Sequence, residues 1–243
     1  MEDVIIGAWH GGLGDSLQFS TLPEEFYKQQ GRKTYLWASA PFRNQGIWQL
    51  VWSFNPYVIG IKEGERTAGD LPTIEYSNVA GNCISNWEQL HGLKPTNKYP
   101  KIYYKPKTLP GYDKVYLVDF TSISINYDIS LLRRKLNEIQ WQHPDKLFVE
   151  VTFNKDLSGN NSLNAYSTGL PPLLVDNIFE YYDILASARG LVALSSGASH
   201  LSSAVKEHNK NLDSICLMDE KWYNYHVDKG NLFLFDNIDY QVI

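Results

Sequence analysis

Two short segments of this 243-residue chain bring together residue types that can do chemistry. Near the N-terminus, residues 4–10 read as a buried strand that ends at His10, followed by Gly11-Gly12-Leu13-Gly14-Asp15. The glycines permit a tight turn with positive φ, and the carboxylate falls at the start of a helix. Near the C-terminus, the apolar run Leu191–Leu194 is followed by Ser195-Ser196-Gly197-Ala198-Ser199-His200. A loop of small residues that opens a helix exposes backbone N–H groups and the positive end of the helix dipole, which suits phosphate. Ser195 and Ser196 add hydroxyls, Gly197 allows close backbone approach, and His200 adds a donor one turn into the helix. Asp15 has two readings, a helix cap or a general base. In the second reading Gly12, Gly14 and His10 form the acceptor-side loop. An acid in one loop and an anion cradle in the other point to a two-domain enzyme working in the cleft between its halves.

Several familiar motifs are excluded by single residues. A dinucleotide fingerprint starting at Gly12 needs glycine at position 17, where Leu17 stands. No Gly-Lys-Ser/Thr is present, so there is no P-loop. Gly14-Asp15-Ser16-Leu17 spells the nucleophile block of the GDSL hydrolases, which makes a hydrolase acting through Ser16 an alternative. That chemistry needs an acid three residues before a histidine. His200, His208 and His226 are preceded there by Gly197, Val205 and Tyr223, so Ser16 lacks an activating pair. A non-catalytic nucleotide- or sugar-binding module is the third reading. There is no Asp-x-Asp, the six histidines are scattered, and Cys83 and Cys216 have no metal spacing. No metal and no cofactor is therefore expected, and the cysteines read as reduced core thiols of a cytoplasmic protein.

The elements that must position these loops follow from hydrophobic periodicity. Ser16–Gln30 reads as a helix stopped by Gly31, with Pro23 forcing a kink or a late start. Lys33–Ala38 reads as a strand, Asn44–Phe54 as a helix and Val58–Lys62 as a strand. Four of the eleven prolines lie in Pro95–Pro110, and a domain boundary is placed there, giving domains 1–107 and 108–243. The second half alternates again. Its strands are Val115–Phe120, Leu147–Phe153, Leu173–Val175, Gly190–Leu194 and Leu212–Met218. Its helices are Ile129–Gln142, Asn177–Ala188 and Ser199–Glu207. Residues 156–167 read as a polar loop. Alternation of this kind predicts α/β architecture, two Rossmann-like doubly wound domains facing a cleft. The base of a bound nucleotide would rest near 147–154 and 173–177, with Glu150 as the ribose partner. Trp222, Tyr223, Tyr225 and His226 read as core.

Charge separates the halves. Residues 1–107 carry 11 basic and 10 acidic groups, and residues 108–243 carry 11 and 17, for a net −5. Lys94–Lys107 holds five lysines and no acid, interleaved with Tyr99, Tyr103 and Tyr104. Such a strip is a solvated linker or a surface for an anionic acceptor, nucleic acid included. The overall negative charge argues against tight nucleic-acid binding. No apolar run approaches the ~20 residues that span a bilayer, so no membrane insertion is expected.

Taken together, the two segments resemble glycosyltransferase family 9, the heptosyltransferase group with the two-domain GT-B fold. Residues 4–38 resemble that family's strand, glycine turn and Gly-Asp helix start. Residues 173–205, including Phe179-Glu-Tyr-Tyr-Asp-Ile-Leu-Ala-Ser-Ala and the Ser-Gly-x-x-His-Leu-x-x-Ala block, resemble its donor half. The resemblance implies an inverting, metal-independent transferase that moves a sugar from a nucleotide-diphosphate sugar to a hydroxyl of a glycan or of a modified DNA base. It assigns Asp15 as the catalytic base and Ser196, Gly197 and His200 as donor-phosphate contacts. Ser195 departs from the family's usual aspartate. The loop Thr121-Ser-Ile-Ser-Ile-Asn departs by lacking a basic residue. The chain is also shorter than typical members, so acceptor-binding insertions are expected to be missing.

Overall fold

Apolar runs with no polar alternation can be buried only in a parallel sheet covered on both faces. Val4–Gly7, Val115–Asp119 and Gly190–Leu194 are such runs, and every residue in them is buried. The computed structural model describes residues 2–8, 11–39, 44–69, 81–122, 125–154 and 164–243. His10 and Trp9 lie outside the described residues, as do residues 155–163 of the polar loop. The chain divides into two compact units. One is Met1–Tyr104 with Tyr225–Phe235, and the other is Lys105–Asn224 with Asp236–Ile243.

The first unit is built on strands β1 (Val4–Gly7), β2 (Thr34–Trp37), β3 (Val58–Lys62) and β4 (Ala68–Gly69). They are parallel and lie in the order β3-β2-β1-β4. Helices α1 (Leu13–Leu17), α2 (Leu22–Gln30), α3 (Gln45–Trp48) and α4 (Cys83–Leu90) accompany them. The single helix expected over 16–30 is two helices, because Pro23 lacks the N–H that a continuous helix would use. It sits instead in the first turn of α2, where no intrahelical partner is needed. Gly31 ends α2 at φ 65°. The helix expected over 44–54 starts on an Asn44 cap and passes from α3 into a π-helical turn over Gln49–Ser53. Helix α4 was not anticipated. It is capped by Asn82 and buries Trp87, whose Nε1 donates to Gln18 Oε1 at 2.8 Å.

The second unit carries strands β5 (Val115–Asp119), β7 (Leu147–Phe153), β9 (Pro172–Val175), β10 (Gly190–Leu194), β11 (Asp213–Met218) and β12 (Asp239–Val242). A small antiparallel pair, β6 (Thr121–Ser122) and β8 (Asn164–Ala165), stands apart. The main sheet is parallel with order β12-β11-β10-β5-β7-β9. Read by chain position this is 6-5-4-1-2-3, the Rossmann order. Helices α5 (Ile129–Gln142), α6 (Ile178–Ser187) and α7 (Gly197–Val205) alternate with the strands, and α8 (Glu220–Asp228) follows β11, its residues from Tyr225 onward belonging to the first unit. Asn177 caps α6, accepting from the amides of Phe179 and Glu180 at 3.1 and 2.9 Å. Gly190 is required because a Cβ there would lie 2.4 Å from the Tyr116 ring. Helix α8 and strand β12 went unrecognised in the sequence. The aromatic cluster on α8 is also corrected, since His226 is fully buried whereas Tyr225 is 44% exposed. Both cysteines are free and buried.

Candidate active-site loops

In a parallel sheet a crevice opens where neighbouring strands send their connections to opposite sides. In the first unit that place is the C-terminal edge between β1 and β4, and the segment leaving β1 carries the Gly11–Asp15 turn. Gly11 adopts φ 62°, and Gly12 is the N-cap of α1. Asp15 is the third residue of that helix, where its Oδ2 accepts from the Gly12 amide at 2.9 Å. It is half-buried, and its Oδ1 has no hydrogen-bond partner among the described residues. The structure thus places Asp15 as a helix cap.

Ser16 is fully buried, and its Oγ has no hydrogen-bond partner among the described residues. A hydroxyl with no path to solvent cannot meet an ester, so the hydrolase reading on Ser16 is set aside on geometry as well as on the missing acid.

Behind the turn, the ends of β1 and β4 touch. A Cβ on Gly69, which has φ 93°, would stand 2.4 Å from the Gly7 carbonyl oxygen. His91 of the α4 C-terminus fixes this edge. Its Nε2 accepts from the Gly69 amide at 3.1 Å and its Nδ1–H donates to the Trp87 carbonyl at 2.6 Å. These bonds define the neutral ring, and burial holds its pKa below the ordinary histidine value against the opposing pull of the Trp87 carbonyl.

In the second unit the switch lies between β5 and β10, and Ser195–Gly197 leave β10 there. Ser196 is the N-cap of α7, its Oγ accepting from the Ala198 amide at 3.3 Å. Ser199 completes a capping box, with its Oγ 2.8 Å from the Ser196 carbonyl and 3.4 Å from the Ser196 amide. Helix α7 thus begins two residues earlier than periodicity suggested, because the cap, not the first apolar residue, sets the start. Ser195, Ser196, Gly197 and His200 are all half-buried and reach the surface. His200 Nδ1 lies 3.2 Å from the Ser196 carbonyl. With that nitrogen donating, Nε2 of a neutral ring is an acceptor. His200 then offers an anion a proton only as imidazolium.

The loop leaving β5 brings residues that sequence reading passed over. Asp119 is buried at the end of β5. It accepts from the Thr121 Oγ1 at 2.6 Å, the Thr121 amide at 3.2 Å and the Tyr181 hydroxyl at 2.8 Å. Burial raises its pKa, and these three donors hold it back. Asp119 thereby ties the β5 loop to α6. Tyr127 closes the same edge, with its amide donating to the Tyr166 hydroxyl at 2.9 Å. Its own hydroxyl is shut off from solvent and faces the backbone of Ser195 and Asp219 without a well-aligned hydrogen bond. An acid that ends an apolar strand was the one available signal for Asp119. Tyr127 carried none.

Glu150, the expected ribose partner, is already engaged. Its Oε2 accepts from the Thr168 amide at 2.7 Å and the Thr168 Oγ1 at 2.5 Å, which anchors the turn before β9. The lysine–tyrosine strip is likewise anchored. Lys94 exchanges backbone hydrogen bonds with the Gln29 side chain, and Lys101 is ion-paired to Glu24 at 2.6 Å.

No protein-family model matches the chain, and no curated protein sequence does. Solved structures do match. Escherichia coli ADP-heptose lipopolysaccharide heptosyltransferase II superposes with a TM-score of 0.61 at 10% identity, covering 100% of this chain and 90% of that one. The fold is that of the heptosyltransferases. A glycosyltransferase family 9 protein from Veillonella parvula gives 0.59 at 9% identity, covering 100% and 85%. The dodecameric, iron-containing glycosyltransferase TibC of enterotoxigenic E. coli gives 0.59 at 15% identity over 89% of this chain. This chain spans 58% of TibC's length. Among the described residues no group of three His, Cys, Asp or Glu side chains could hold a metal ion. No described helix of this heptosyltransferase-fold chain is long and apolar enough to cross a membrane.

Proposed function

We propose that this chain is a glycosyltransferase that moves a sugar from a nucleotide-diphosphate sugar to an acceptor hydroxyl. The observation that carries this reading is the Ser196-capped start of α7 at the switch point of a Rossmann-ordered sheet, in a chain with the heptosyltransferase fold. Helix-terminal amides, the helix dipole and the hydroxyls of Ser195 and Ser196 suit a diphosphate as negative charge develops on it. Structures of this fold with ADP or an ADP-heptose analogue bound support the same donor class here.

Asp15 supplies the base. The acceptor O–H gives its proton to the carboxylate as the oxygen forms a bond to the anomeric carbon. The bond from that carbon to the diphosphate oxygen breaks, and the nucleoside diphosphate leaves with the electron pair. One displacement inverts the carbon, and the α7 N-terminus does the work of a cation, so the reaction needs no metal. Ser195, Ser196, Gly197 and His200 bind the diphosphate. Gly12 and Gly14 shape the acceptor-side turn with His10, and Glu150 acts through the Thr168 turn next to the base subsite.

The test is a thermal-shift panel of ADP, UDP, GDP and CMP and their sugars, with and without EDTA. A ligand at 100 times its Kd adds about 2.7 kcal/mol, a shift of roughly 5–11 °C for a protein of this size. The expected result is a selective shift that EDTA leaves unchanged. No shift with any nucleotide would overturn the reading.

A further inference from the structure

The first unit carries an aromatic surface that the proposed chemistry leaves unused. Tyr27 of α2 is 55% exposed, and its ring centroid lies 5.5 Å from that of Tyr57. The Tyr57 ring lies 6.0 Å from Tyr103 of the strap that follows α4. Phe54, 48% exposed, meets Tyr104 of the same strap at 5.2 Å. Three chain segments, α2, residues 54–57 and the strap, thus converge to bring these rings together.

The charges beside the rings decide what such a surface can hold. Glu24 accepts from Lys101 Nζ at 2.6 Å, from the Tyr103 hydroxyl at 2.9 Å and from Lys28 Nζ at 2.5 Å. Lys28 and Lys101 are therefore both held by one carboxylate. The neighbouring acids are also taken up internally. Glu88 accepts from the amides of Thr96 and Asn97, and Glu25 from the side chains of Asn97 and Gln29. A polyanion needs cations able to replace its counterions, and here Lys28 and Lys101 are engaged. A neutral ligand with C–H faces and hydroxyls fits better. The electron-rich ring faces attract polarised C–H groups, and tyrosine hydroxyls such as that of the exposed Tyr27 serve hydroxyls.

We infer that Tyr27, Tyr57, Tyr103, Phe54 and Tyr104 form a binding surface for a neutral oligosaccharide. It is distinct from the Asp15 turn. Tyr57 immediately precedes β3 and the Asp15 turn follows β1, so in an all-parallel sheet they stand at opposite edges. The surface would hold a polymeric glycan away from its reacting end, and that acceptor role rests on the transferase reading.

Isothermal titration of the full chain at about physiological salt tests the surface itself. The probes are neutral hexasaccharides of glucose, mannose and N-acetylglucosamine, with a twenty-nucleotide oligothymidylate as the polyanion. The expected result is that at least one hexasaccharide binds. Tyr27→Ala and Phe54→Ala should each weaken it about tenfold while the melting temperature and the nucleotide-induced thermal shift stay unchanged. Hexasaccharide binding insensitive to both variants overturns the surface, as does binding of oligothymidylate alone. Binding of no probe also overturns it. The nucleotide shift, measured on the same samples, keeps its failure distinguishable from failure of the transferase reading.

Discussion

The two switch-point loops leave different strands of their sheets, β1 beside β4 and β10 beside β5, and the helices they open are capped differently. In the first unit α1 has five residues, and its first turn is satisfied by a carboxylate, Asp15, that reaches back to Gly12. In the second unit α7 has nine residues and is capped by hydroxyls. A carboxylate at a helix start cancels the positive end of the dipole, whereas neutral hydroxyls leave it available. In the proposed reaction this difference in capping makes the first loop the proton acceptor and the second the anion cradle.

Exchanging the charge on the first loop should have the largest effect. Asp15→Asn keeps an oxygen for the Gly12 amide, so fold and nucleotide-induced shift persist while turnover falls about 10²–10⁴-fold. Turnover near the wild-type value would remove Asp15 from the base role. On the second loop, Ser196→Ala should remove about 1 kcal/mol of stability with the lost cap and weaken nucleoside diphosphate binding about tenfold. Calorimetry and titration measure the two losses separately, and unchanged nucleotide affinity would mean that Ser196 only caps.

The smallest effect separates the units by pH. Neutral His91 accepts the Gly69 amide, and its pKa lies below 6.5. Its contribution is therefore complete above 6.5 and is lost as pH falls through the lowered value. Glu24 behaves similarly at lower pH. Burial pushes its pKa up, but bonds from Lys101, Lys28 and Tyr103 outweigh that and bring it to about 2. Its contribution is present above 4.5 and declines toward 2. In the second unit the pKa of Asp119 is raised above 3.8, so acidification relieves a penalty there. Scanning calorimetry between about pH 7 and 4 should show the first unit's transition falling relative to the second's by a few degrees. Parallel shifts of both would contradict the assignment of these groups.

Much of the architecture was legible because it rests on local patterns. Helix α5 and strands β3, β7 and β10 match their expected ranges, since unbroken apolar runs, an Asp128 cap and β-branched residues act over a few positions. Elements whose stability comes from distant partners were not legible. Helix α4 is fixed by Trp87 reaching Gln18, and β4 is two residues long with no pattern to detect. The same holds at the site. Residue types at short spacing made Asp15 and Ser195–His200 candidates, but the engagement of Glu150 by Thr168 and the burial of Ser16 depend on contacts that spacing does not encode.

By itself the sequence determined that two α/β alternations each end a strand in a small-residue loop at a helix start, because turn, cap and period are local interactions between near neighbours. The tertiary structure alone decided the strand orders that make those loops switch points, and it joined Asp119 to Tyr181 across 62 residues. It also gathered Tyr27, Tyr57 and Tyr103 into one surface. Those arrangements follow from parallel pairing and burial between segments far apart in the chain, where closing the loop and filling the core outweigh any local preference.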